Sequence, residues 1–368
     1  MEEKIYVTKT TMPPYEEYCE MIKPLFESRY ITNDGVYHEE LEEKIKEYLN
    51  VSNVTLFTNG HLSLENAIQV LGLKGEIITT PFTFISTTHA IKRSGCEPVF
   101  CDINYDDYTM DVSKIESLIT DKTCAIVPVH VYGNACNVEE IEKLAKKYNL
   151  KVIYDAAHAF GVKYKGNSIA NYGDISMFSF HATKVFNTIE GGACIYKDDS
   201  LKKKLIYLKN FGINTDPKVE EVEYYGGNAK MNEFQAAMGL CNLKYLDSNI
   251  AKRKELILKY RELLSKVKGI KLSIVQDNVE SNYSYFPIVV LDDYGISRDE
   301  LIKVLNTYNI YPRKYFYPIS NELELYKNCK GDTPIAKDIS ERVMTLPLYP
   351  DLGINNVEKI CDIIAKKK

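Results

Sequence analysis

The sequence predicts an α/β fold: a large domain with a mostly parallel sheet flanked by helices, plus a smaller C-terminal α+β domain. Three observations predict it. Short β-branched runs alternate with helical patterns from about residue 51 to 200, the sign of parallel strands joined by crossover helices. A long helical region, including a bend, then runs from about Asn232 to Val267. Beyond it, strand and helix patterns resume over a shorter stretch. The division is placed near 245, giving units 1–245 and 246–368 with no Pro/Gly-rich linker between them. The N-terminal segment is expected to pack on the smaller unit.

Each element follows from its own pattern. Met12-Pro-Pro-Tyr15 leads into a helix from Glu16 to Ser28, where Cys19, Met21, Ile22, Leu25 and Phe26 recur at helical spacing. Tyr30 to Gly35 breaks that pattern as a loop. His38 to Leu49 is a second amphipathic helix, with Leu41, Ile45 and Leu49 on one face. Strands are expected at Val54–Thr58, Glu76–Thr80, Val99–Asp102, Cys124–His130 and Lys151–Asp155. Helices are expected at Leu62–Leu71, Ile85–Arg93 and Asn137–Tyr148. The run from Asp174 to Lys184 also reads as strand-like. In the smaller unit, Tyr283–Leu291 reads as a strand, Ser297–Tyr308 and Val357–Lys367 as helices, and Arg313–Pro318 as an aromatic loop. Ligands of such folds gather at the carboxyl ends of the strands, where Thr58, Thr80, His130 and Asp155 lie.

Composition narrows the function classes. With 45% hydrophobic and 26% charged residues, the 368-residue chain reads as an ordinary globular protein. A net charge of -5 disfavours nucleic acid as a partner, since phosphate backbones need a concentrated basic surface. No apolar run approaches bilayer length, so no membrane association is expected. Met1-Glu-Glu-Lys-Ile-Tyr6 lacks the basic and apolar stretches of a secretion signal. Nine scattered cysteines, without a C-x-x-C pair or a histidine cluster, suit reduced thiols in a cytoplasmic protein and no metal site. The closing Ala365–Lys368 reads as a solvated helix end.

Chemistry concentrates around Lys184. Its flanks are apolar, aromatic and small, an odd setting for a solvated lysine. Lys151–Asp155 ends in an acid. A lysine amine and a carboxylate on neighbouring strand ends can grip opposite ends of one flat cofactor. That suits pyridoxal 5'-phosphate, whose aldehyde takes the amine while the acid holds a proton on the ring nitrogen. Asn59-Gly60-His61 lies between strand and helix, so backbone N–H groups of Gly60 and His61 would meet a phosphate at the helix start. Ser179 can add a hydroxyl. Phe84, with Phe82 as rival, can stack on the ring. His158 stands one turn beyond Asp155, either beside the cofactor or as an ordinary core histidine. His181 can line the site. Tyr225-Gly-Gly-Asn228 opens a helix whose polar start could bind an anion or be a plain cap.

These motifs resemble those of the DegT/DnrJ/EryC1/StrS sugar aminotransferases, from Thr11-Met-Pro-Pro-Tyr15 through Leu346-Pro-Leu-Tyr-Pro-Asp351. The most specific segments are Asp155-Ala-Ala-His-Ala-Phe-Gly161 and Gly173 to Gly192. The resemblance implies a fold-type-I pyridoxal phosphate transferase, passing through pyridoxamine 5'-phosphate, and a homodimer with shared active sites. It implies Lys184 as the Schiff-base lysine, Asp155 at the ring nitrogen, Phe84 over the ring and Ser179 at the phosphate. Gly60 and His61 fall where the family has Gly-Thr, so a backbone contact is expected there and a side-chain hydroxyl is not. Asn228 matches the asparagine that reaches the neighbouring subunit's phosphate. Arg313-Lys-Tyr315-Phe-Tyr-Pro318 is similar to the loop near the sugar nucleotide.

The implied reaction is ping-pong transfer of an amino group from L-glutamate to a nucleotide-linked keto-sugar. The run Ser179-Phe-His-Ala-Thr-Lys184 resembles that of enzymes aminating C4 of dTDP-4-keto-6-deoxy-D-glucose, in O-antigen or other amino-sugar synthesis; C3 amination is the alternative. Dehydrating relatives carry histidine in place of Lys184. A regulatory protein on the same fold would lack use for the Lys184/Asp155 pair. A nicotinamide enzyme would need a G-x-G-x-x-G turn, which is missing.

Overall fold

The computed structural model describes residues 4–216, 218–219 and 221–366. The first three residues of the predicted leaderless start, and Lys367 and Lys368 of the predicted tail, lie outside the described residues.

Its centre is a seven-stranded sheet in the order Asn53–Phe57, Gly192–Tyr196, Ile175–Ser179, Lys151–Asp155, Thr123–Val127, Glu76–Thr79, Glu97–Phe100. The five strands from Ile175–Ser179 to Glu97–Phe100 pair in parallel. Gly192–Tyr196 runs antiparallel to both of its neighbours. Successive residues of one strand enter different cores: Val152 and Tyr154 pack in one cluster and Ile153 in another. Both faces are therefore covered, which is why these strands read as continuous apolar runs.

A second apolar core gathers residues from Leu256 to Ile364, together with Ile5. It encloses a three-stranded antiparallel sheet of Ile270–Leu272, Phe286–Val290 and Val343–Leu346. Ile5–Tyr6 pairs in parallel with Ile310–Tyr311, so the N-terminal segment lies on this core.

Several elements depart from their sequence patterns. The Asp174–Lys184 run is a strand only to Ser179. From there Phe180 N–H bonds Gly191 O (2.8 Å) and Thr188 N–H bonds Phe180 O (2.9 Å), closing a loop. Its apolarity serves packing of Phe180 and Phe186 against Phe160, not a ladder. The long helical region is two helices, Glu233–Leu243 and Leu246–Leu264. The third predicted strand falls earlier, at Glu97–Phe100. Asp102 leaves it to accept from the N–H groups of Ile335 (3.2 Å) and Ala336 (2.8 Å), at the start of a Pro334–Arg342 helix that the sequence pattern did not reveal.

Candidate active site

Strand pairing brings the predicted residues together. Asp155 sits opposite Met177, and Ser179 opposite Gly192, at the carboxyl ends of adjacent strands. Lys184 follows in the loop beyond Ser179, its own N–H bonded to His181 O (2.8 Å).

Asp155 is buried, and both carboxylate oxygens are anchored. Thr87 Oγ1 donates to Oδ2 (2.7 Å) and Ala157 N–H to Oδ1 (3.1 Å). Burial nevertheless raises its pKa, outweighing those bonds and the Lys184 charge. The same desolvation lowers Lys184 to about 8, with the Asp155 charge opposing. The two groups feel each other, yet among the described residues Lys184 closes no ion pair. Its Nζ instead stands 5.9 Å from the ring centroid of Tyr285. Burial thus disfavours the charged form of both groups, and among the described residues the Asp155 carboxylate has no direct cation.

The phosphate-sized end is built from Asn59, Gly60 and Ser179. Asn59 caps the helix Gly60–Val70, its side chain accepting from Leu62 N–H at 2.9 Å. The N–H groups of Gly60 and His61, as first helical residues, have no intrahelical acceptor. Gly60 is required here: a Cβ would lie 2.7 Å from Ser179 Cβ and 3.1 Å from its Oγ. Helix start and serine thus form one cradle with N–H and O–H donors. The His61 ring takes no part in it. Nδ1 bonds Ser86 Oγ at 2.9 Å, and Nε2 lies 3.0 Å from Glu65 Oε1, which also binds Arg93. The imidazole ties this helix to the next one.

Phe82 and Phe84 part company. Phe82 is fully buried among Tyr108, Tyr132 and Phe316, whereas Phe84 is 61% exposed. Only Phe84 has a ring face free for a ligand. His158 is buried and accepts from Tyr132 N–H through Nδ1 (3.0 Å). Burial, then the nearby Lys184 charge, holds its pKa well below the usual value. The ring is neutral with its proton on Nε2, a donor in fixed orientation. His181 pairs Nδ1 with Thr183 Oγ1 (2.8 Å) and lies 3.5 Å from Glu190.

The Arg313–Pro318 loop reaches this site from the second core. Arg313 exchanges backbone bonds with Thr345 and is exposed. Tyr315 meets the Tyr285 ring edge-on at 5.9 Å, and its carbonyl accepts from Tyr132 Oη–H. Asn228 is elsewhere on the surface. It is exposed, bridged by backbone to Asn210, and among the described residues its side chain meets only Lys230.

The sequence reading missed Thr87, Tyr132, Tyr285 and Lys230. A signal existed for Thr87, a hydroxyl three residues after Phe84 in a polar Ser86-Thr-Thr88 run at a helix start. Tyr132 and Tyr285 arrive from distant segments and carry no local mark. Among the described residues, no group of three His, Cys, Asp or Glu side chains could hold a metal ion, and no helix is long and apolar enough to cross a membrane.

Comparison with known proteins gives the same chemistry a context. The model of the DegT/DnrJ/EryC1/StrS aminotransferase family matches residues 15–365. A dTDP-4-amino-4,6-dideoxy-D-glucose transaminase of Shigella dysenteriae is 42% identical over 370 residues, covering 100% of both chains. Its namesake in Escherichia coli is also 42% identical, over 99% of this chain and 98% of that one. The crystal structure of DesI in the presence of its TDP-sugar product superposes with a TM-score of 0.94 at 30% identity, covering 100% of this chain and 93% of DesI.

Proposed function

The chain belongs to the DegT/DnrJ/EryC1/StrS aminotransferase family, and from that premise we propose that it moves an amino group from L-glutamate to C4 of dTDP-4-keto-6-deoxy-D-glucose. It is a pyridoxal phosphate enzyme acting on a nucleotide-linked sugar. One observation carries the reading: the buried Lys184 amine and the anchored acid Asp155 lie close enough to feel each other's charge, at the strand ends where Ser179 packs against Gly60.

The donor set fits the cofactor. Gly60 and His61 N–H groups with Ser179 Oγ would hold its phosphate, Phe84 one ring face, and Asp155 its ring nitrogen. His158, through Nε2–H, is a further donor at the same site. When bound, the cofactor supplies a carbonyl for the lysine and a ring that takes up electrons from the reacting carbon. With the cofactor bound, Lys184 Nζ would take the proton from the donor's α-carbon and return it two atoms along, on the far side of the nitrogen, and would work in reverse for the sugar. Asp155 keeps the ring nitrogen protonated throughout. His181, Arg313 and Tyr315 face the sugar nucleotide in this reading, Tyr315 being anchored against Tyr285.

The chain works as a homodimer in which Asn228 serves the other subunit's phosphate. Its exposure supports this, as do exposed Phe211, Val222 and Tyr225 around it. The division near residue 245 belongs to the same reading, supported by the separate core from Leu256 to Ile364. A cytoplasmic setting agrees with nine free cysteines, and O-antigen or related glycan synthesis is the role proposed for the product.

The test is product analysis after incubation with glutamate and a small panel of dTDP- and UDP-keto-sugars. Mass spectrometry and NMR should find nitrogen at C4 of the dTDP sugar. Nitrogen at C3, or no amination of any panel member, would overturn the assignment.

A second expectation concerns pH. Only the neutral amine attacks a carbonyl, and Lys184 is depressed to about 8. The apoprotein should therefore capture pyridoxal phosphate faster as pH rises, levelling off above a midpoint near 8. Stopped-flow absorbance reads this directly. A midpoint at the ordinary lysine value of 10.5 would show that burial leaves the amine unperturbed.

A further inference from the structure

Lys230 has no place in the scheme so far, and it is the residue that Asn228 leans on. Its Nζ donates to Asn210 Oδ1 (2.7 Å) and to Asn228 Oδ1 (3.1 Å), and it lies 5.2 Å from the Phe211 ring centroid. An ammonium has three donors and no acceptor. Whatever carboxamide faces it must turn its oxygen inward. For Asn228 the consequence is directional: the oxygen is spent on Lys230, so the N–H2 group points away from it. Among the described residues that N–H2 meets no protein acceptor.

The backbone beneath is equally fixed. Gly227 N–H bonds Leu208 O (3.0 Å), Phe211 N–H bonds Gly227 O (3.0 Å) and Ala229 N–H bonds Lys209 O (2.9 Å). Thr58 N–H bonds Ala229 O (2.7 Å). The segment is thus pinned on both sides, and the amide is its remaining freedom. A carboxamide offered to an anion in the wrong flip would present oxygen to oxygen.

We propose that Lys230 is a positioning residue that locks the Asn228 amide with its N–H2 outward, ready to donate to the cofactor phosphate of the neighbouring subunit. This rests on the reading of Asn228 as a phosphate ligand. Lys230 touches neither cofactor nor substrate; it selects which end of Asn228 does.

Binding of pyridoxamine phosphate and of phosphate-free pyridoxamine to the apoprotein, by titration calorimetry, tests the inference without turnover. Lys230→Met and Asn228→Ala should each weaken pyridoxamine phosphate about tenfold, the effect of losing one hydrogen bond to a charged group. Pyridoxamine binding should not change. The double variant should be no weaker than Asn228→Ala alone, and Lys230→Arg, also a pure donor, should restore wild-type affinity. Light scattering on each variant checks that the assembly is unaltered. If Asn228→Ala weakens binding and Lys230→Met does not, the positioning role is wrong while Asn228 keeps its own. A Lys230→Met effect that persists in the Asn228→Ala background also overturns it, since the charge then acts by itself. If Asn228→Ala binds pyridoxamine phosphate like wild type, the reading of Asn228 fails, and the inference with it.

Discussion

Lys184→Ala is expected to abolish turnover while the protein still takes up its cofactor. Proton transfer by a positioned side chain is worth roughly a hundred- to ten-thousandfold. This variant loses the attacking amine as well, so residual activity should fall below about one part in ten thousand. The phosphate cradle of Gly60 and Ser179 does not include Lys184, so pyridoxal phosphate should remain bound without a covalent link. Borohydride treatment followed by mass spectrometry separates the two states. Wild-type chain should gain the mass of one cofactor, and the variant none. Near-normal rates in a cofactor-loaded variant would remove Lys184 from the chemistry altogether.

Asp155→Ala should lower kcat by about a hundred- to a thousandfold, the range seen when one preorganised electrostatic partner is removed from an active site. Its far-ultraviolet circular dichroism should match wild type. The reason lies in the raised pKa: burial disfavours this carboxylate in the empty site, so removing it relieves a desolvation cost. Thr87→Val removes only the hydroxyl that donates to Asp155 Oδ2, and about a tenfold loss is expected. Unchanged kinetics in Asp155→Ala would leave the ring nitrogen without its proposed partner.

Much of this site could be read from the chain because its parts lie where local pattern is strongest. Lys151–Asp155 and Ile175–Ser179 are buried strands, and their side-by-side pairing brings the acid and the serine to one end of the sheet. Gly60 was legible as a turn before a helix, although only the packed structure reveals that Ser179 leaves no room for a Cβ. Other parts were hidden for physical reasons. The strand Gly192–Tyr196 opens with two small residues, shows no alternation, and pairs on one side with Asn53–Phe57, far away in sequence. Phe180 to Lys184 looked like strand because burial and strand formation leave the same apolar signature. Tyr285 joins Lys184 only through tertiary packing. The His61 ring shows the converse. Its position was legible, but its binding to Ser86 and Glu65 depended on the neighbouring helix.

The lone reversed strand also dictates an order of events during synthesis. Asn53–Phe57 emerges early, yet its sheet partner is Gly192–Tyr196. Ile5–Tyr6 emerges earlier still and waits for Ile310–Tyr311. Closing such distant pairings is slow, because chain entropy is lost before contacts repay it. A nascent chain that stops short of residue 192 leaves Asn53–Phe57, which leads into the Gly60 turn, without its sheet partner, and leaves Ile175–Ser179 as an unpaired sheet edge. Such a chain offers that edge to other chains before it can offer a pocket to the cofactor. For the growing polypeptide, the cofactor cradle is a late acquisition, although its first residues are among the earliest to leave the ribosome.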